Sequence, residues 1–138
     1  YYLTTEGSLS SIIMYGLHLL HLLRVYPLIY KVTNRSEWKA AKDAGVVAGA
    51  PVDFEDGYIH FSTEEQVRET VEKHFQGQTE LLLLCVEISR LGHEIKWEES
   101  RGGQLFPHLY SQLPIEAVVE VIDLPSGTDG SFIFPSQF

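Results

Sequence analysis

The hydrophobic pattern of the chain switches repeatedly between a period of two and a period of 3.6, and each switch predicts an element. Residues 28–33 (Leu-Ile-Tyr-Lys-Val-Thr) form a β-rich run between Pro27 and Asn34. Asn34, with Glu37 three residues on, reads as a capping box, and Trp38, Ala41 and Ala44 recur at helical spacing up to Gly45. Residues 49–57, rich in Gly, Pro and Asp and ending in Asp56-Gly57, read as a loop. Residues 58–62 alternate, with Ile59 and Phe61 on a core side and Tyr58, His60 and Ser62 on the other. Ser62 and Glu65 read as a second capping box, opening a helix that stops at Gly77, with Val67, Val71 and Phe75 as its buried stripe.

Residues 81–88 are almost continuously apolar, as in a strand buried on both faces. Residues 94–99 alternate again, placing Ile95 and Trp97 on one face and Lys96 and Glu98 on the other. Residues 117–124 read as a last strand and the tail after 124 as irregular. The order β-α-β-α-β-β-β, without regular βαβ spacing, predicts one compact α+β domain over 28–138, with a split or mixed β-sheet and two main helices.

Residues 1–27 break this pattern. The first 29 residues carry only Glu6 and Arg24 as charges, and residues 12–26 are strongly apolar, interrupted by Gly16, His18, His21 and Arg24. The run is short for a bilayer span, which needs ~20 residues. An accessory helix, a membrane-surface anchor and an added extension remain open, and the expectation is an added or mis-assigned extension or a loosely docked helix.

Composition narrows the function classes. With 138 residues, the chain has the size of one domain. Its formal charge is −9, all of it on residues 30–138, a field that repels phosphate backbones and disfavours general nucleic-acid binding. The one cysteine, Cys85, excludes an internal disulfide and a finger-type zinc site, and its apolar setting predicts a buried, inert thiol in a cytoplasmic protein. His60, His74 and His108 lack metal-ligand spacing, so no metal is expected. There is no Walker loop, no dinucleotide glycine fingerprint and no nucleophile elbow.

Three polar clusters are candidates for chemistry. Tyr58, His60 and Ser62 share a strand face, and Thr63 begins a helix whose amino end suits an anion. Glu98 lies beside Trp97 and ahead of Arg101, Gly102 and Gly103, a setting for a partly desolvated carboxylate next to pliant backbone. Phe106-Pro107-His108-Leu109-Tyr110 reads as a pocket wall or as a rigid core corner. Each alone fits an ordinary strand, turn or corner, and together they point to a ligand pocket.

The succession Ile29-Tyr30-Lys31-Val32, Glu37-Trp38, residues 56–63 (Asp-Gly-Tyr-Ile-His-Phe-Ser-Thr), Glu65-Gln66-Val67, Trp97-Glu98 and residues 106–110 resembles a bacterial family known as domain of unknown function 952. Through that family the chain resembles the ADP-ribosyltransferase-like superfamily. That likeness implies a split sheet whose cleft holds NAD, with ADP-ribosyl transfer, 2′-phosphate transfer or NAD glycohydrolysis as the activity. It implies catalytic roles for His60, Glu98 and His108, with Glu98 serving the ribose. It implies nucleotide contacts from Lys31, Tyr58, Ser62, Thr63, Trp97, Arg101 and Tyr110, with Trp97 and Tyr110 walling the nicotinamide and Lys31 standing where His is usual. Two rival readings are a module that binds a nucleotide or another anionic metabolite without turnover, and a structural protein using residues 12–26 as an interface.

Overall fold

The computed structural model describes residues 27–138, and residues 12–26, with His18 and His21, lie outside the described residues. The chain forms β1 (Leu28–Asn34), α1 (Arg35–Ala44), β2 (Val46–Val47), α2 (Pro51–Asp56), β3 (Ile59–His60) and α3 (Glu64–His74). It continues through β4 (Leu81–Glu87), β5 (Ile95–Glu99), β6 (Leu105–Leu109), β7 (Leu113–Pro114) and β8 (Val118–Leu124).

β4 lies between β1 and β8, antiparallel to both. Its side chains alternate between two cores, which is why nearly every position in the run must be apolar. Leu81, Leu83 and Cys85 meet Tyr30, Val32 and, from α3, Val67 and Val71. Leu84 and Val86 meet Ile29, Ile59, Phe61, Leu109 and Leu113. Full burial of such a side chain contributes about 1.5–3 kcal/mol, so this strand anchors both layers. Burial pushes the Cys85 thiol up to about 12, leaving it inert.

A second three-stranded sheet has the order β3-β6-β5, and β2 pairs with β7. All these pairings are antiparallel, so the sheet is split and not mixed. β5 and β6, for example, are joined by a short turn that permits only the antiparallel sense. Among the described residues, one isolated bridge joins the two three-stranded sheets. There the Tyr30 N–H donates to the Ser62 carbonyl at 2.8 Å, and the Ser62 N–H donates to the Tyr30 carbonyl at 2.9 Å.

Three local expectations are corrected. Within 49–57 the chain forms α2, a six-residue helix with Pro51 at its first position, where a missing N–H is harmless. The strand expected over 58–62 pairs only at Ile59 and His60, with Ser62 diverted to the bridge with Tyr30. Because the Ser62 N–H is taken by that bridge, α3 is capped one residue later: Gln66 Oε1 accepts the Thr63 N–H at 3.0 Å. The tail after Leu124 is irregular but attached, since Phe132, Phe134 and Phe138 pack on the α3 core and Arg68 donates to the Phe138 carbonyl at 2.9 Å. No helix among the described residues is long and apolar enough to cross a membrane.

Candidate functional site

Lys31 sits on β1 at 6% exposure, and a buried ammonium needs a partner. α2 supplies it, because its one buried side chain is the carboxylate of Asp53. Asp53 Oδ2 accepts from Lys31 Nζ at 2.8 Å and from the Ala50 N–H at 2.7 Å. Asp53 Oδ1 accepts from the His60 N–H at 3.1 Å and bonds His60 Nδ1 at 2.6 Å. Burial on its own would raise the Asp53 carboxyl, but the His60 hydrogen bond and the Lys31 ammonium hold it well below the usual carboxylate range. An ionised carboxylate only accepts, so Nδ1 of His60 carries hydrogen and Nε2 is left as the working nitrogen. That nitrogen bonds Asp56 Oδ2 at 2.9 Å.

His60 on β3 is the register partner of His108 on β6. Tyr58 stacks on His108 with ring centres 4.1 Å apart and lies 4.6 Å from His60 and 5.2 Å from Tyr110. The two imidazole centres are 5.5 Å apart. Glu98 on β5 completes this group: its Oε1 bonds His108 Nδ1 at 2.7 Å and accepts from the Tyr110 hydroxyl at 2.8 Å. These bonds, His108 first, lower the Glu98 carboxyl, and the Glu98 hydrogen bond pushes Tyr110 up to about 12. Each histidine therefore has a carboxylate on its Nδ1, and the pairs adjoin across neighbouring strands.

A cavity of about 570 Å³ opens where β1 parts from β3. Of the residues expected at a site, Lys31, His60, Ser62 and Arg101 border it. Arg101 comes from the β5–β6 turn, where Gly102 and Gly103 at φ 68° and 75° let the backbone reverse. Its guanidinium donates to Thr70 Oγ1 at 3.2 Å and lies 4.9 Å from the Phe106 ring, and Thr70 in turn bonds Ser62 Oγ at 2.9 Å. The other expected residues stand outside the lining. Thr63 caps α3. Tyr58, Glu98, His108 and Tyr110 form the ring cluster beside His60, with His108 itself buried. Trp97 does not wall the cavity: alternation along β5 puts it on the opposite face from Glu98, and it is 44% exposed.

Sequence reasoning missed Asp53, Asp56 and Thr70. Asp53 left one usable signal, an acid at the third position after a Pro-initiated turn, together with a lysine inside an apolar strand that required a counter-charge. Among the described residues, no group of three His, Cys, Asp or Glu side chains is arranged to hold a metal ion.

Among curated proteins none matches this chain. Among solved structures, the crystal structure of protein CC0527 from Caulobacter crescentus is similar, with 49% identity and a TM-score of 0.74 over 77% of this chain and 93% of that one. The solution structure of CC0527 matches with 47% identity and a TM-score of 0.71 over 80% of this chain and 96% of that one. The family model described as "Protein of unknown function (DUF952)" matches residues 32–121, well over half of the chain, and the chain belongs to that family.

Proposed function

We propose that the cleft binds a nucleotide of the NAD or ADP-ribose kind and acts at its ribose, by ADP-ribosyl transfer, 2′-phosphate transfer or NAD glycohydrolysis. The observation that carries this reading is the Lys31–Asp53–His60 array bordering a cavity of about 570 Å³. That volume lies within the ~300–1,000 Å³ common for small-molecule sites. The wall combines Arg101 and the hydroxyls of Thr33, Ser62 and Thr70 with the rings of Tyr30, Phe61, Phe75 and Phe106. Cation and hydroxyls suit phosphate and ribose, and the rings suit a planar base. A cleft at the parting of a split sheet also agrees with the superfamily that the sequence resembles.

In the transfer reaction, the bond from C1′ to nicotinamide breaks and nicotinamide leaves as a neutral base. The acceptor oxygen bonds C1′ and releases its proton to water, while His60, its Nδ1–H held on Asp53, orients the ribonucleotide through its Nε2–H. Glu98 is not needed at the sugar. With His108 and Tyr110 it braces the rings against which His60 packs.

A second reading, a module that holds the nucleotide without turnover, is favoured by two facts: the Lys31 ammonium is committed to Asp53, and Glu98 lies outside the cavity lining. A thermal-shift screen with NAD, ADP-ribose and nicotinamide, followed by an assay for released nicotinamide, separates the readings. Ligand at about 100 times its Kd adds about 2.7 kcal/mol of stability, an easily read shift. The transfer reading expects nicotinamide release that His60→Ala abolishes. Stabilisation by NAD without release supports the module, and no shift with any of the three ligands removes the nucleotide reading.

A further inference from the structure

We propose that Asp56 is a displaceable placeholder, occupying the position at Nε2 of His60 that an anionic oxygen of the ligand takes on binding. The inference rests on the cleft being a site for phosphate-bearing ligands. His60 meets two carboxylates that differ in every physical respect. Asp53 is buried and accepts four hydrogen bonds, so it cannot leave without stranding Lys31. Among the described residues, the Asp56 side chain makes one hydrogen bond, at 2.9 Å to Nε2, and is 41% exposed. Exposed pairs of this kind contribute little and are given up easily.

Helix stability does not account for an acid at this place. Asp56 ends α2, where negative charge opposes the dipole, and Gly57 follows at φ 89° to turn the chain away. Asp56 and His60 both border the cavity. A carboxylate oxygen accepting from the Nε2–H makes the same bond that a phosphate oxygen would make there, and one N–H serves one of them well at a time. A ligand with a strong anionic acceptor replaces Asp56, which moves into solvent. A neutral ligand leaves it in place. Asp56 thus lowers affinity for anions in general and reserves the site for those with enough other contacts.

Isothermal titration of the full chain with ADP-ribose, inorganic pyrophosphate and adenosine tests this. Asp56→Asn is expected to tighten ADP-ribose and pyrophosphate about five- to tenfold, the gain from removing a weak competing pair and its repulsion. Adenosine stays within about twofold, Asp56→Glu returns the anions toward wild-type affinity, and Asp56→Ser behaves as Asp56→Asn. If wild type binds ADP-ribose and Asp56→Asn binds it no better, the placeholder role is overturned while the nucleotide reading stands. Equal tightening of adenosine also overturns it, because charge would not be the cause. If neither protein binds ADP-ribose or pyrophosphate, the nucleotide reading and this inference fall together.

Discussion

Asp53 and Glu98 each hold a histidine of the same strand pair, yet they are built in opposite ways. Asp53 is 3% exposed, neutralised by Lys31 and saturated with hydrogen bonds that tie α2 to β1 and β3. Glu98 stands on edge strand β5, open to water, with two side-chain partners. The same residue chemistry therefore serves two ends. A buried carboxylate fixes the backbone around the cleft and the orientation of the His60 ring, whereas an exposed one only trims the orientation of rings already packed.

The sharpest way to break the comparison is Asp53→Asn. It keeps the shape but leaves the Lys31 ammonium buried without a counter-charge, so urea denaturation is expected to show a loss of about 3–5 kcal/mol. A loss below ~1 kcal/mol would show that the knot is not what secures α2. Acid titration gives the next effect. A carboxyl held below its unfolded value stabilises the fold fully above that value, near ~4, and loses its contribution as pH falls toward the folded value. Stability should hold steady above that range and decline below it, and the decline should be shallower in Asp53→Asn. Uniform slopes in both proteins would contradict the assignment.

The smallest effect belongs to Glu98→Gln. Its denaturation midpoint should move far less than that of Asp53→Asn. The Tyr110 hydroxyl, up at about 12 through its bond to Glu98, should ionise nearer the ordinary ~10. The difference in tyrosinate absorbance between the two proteins during alkaline titration reads this, and no difference would mean that Glu98 does not hold Tyr110.

The long, strongly periodic elements were legible in the sequence. Asn34 and Gly45 bracket α1, the Val67–Val71 stripe marks α3, and the unbroken apolar run marks β4 as central. α2 was hidden because six residues are too few to show a helical period, and its Pro, Asp and Gly residues imitate a loop. β6 was hidden by Pro107, whose carbonyl nonetheless accepts the Phe61 N–H at 3.0 Å. At the site, His60, Lys31 and Arg101 were visible as residue types suited to a ligand. Their grouping was not, since Asp53 connects Lys31, 22 residues away, with His60, seven away, and no local period links them.

Among the described residues, the single backbone bridge between the two three-stranded sheets, Tyr30 to Ser62, forms a natural crease. Both residues border the cavity, so a bound molecule touches the two sheets on either side of a backbone join that is one residue pair long among the described residues. Ligand binding should clamp that crease shut. The amide hydrogens of these two residues are accordingly the ones whose exchange with solvent reports how firmly the halves are held together.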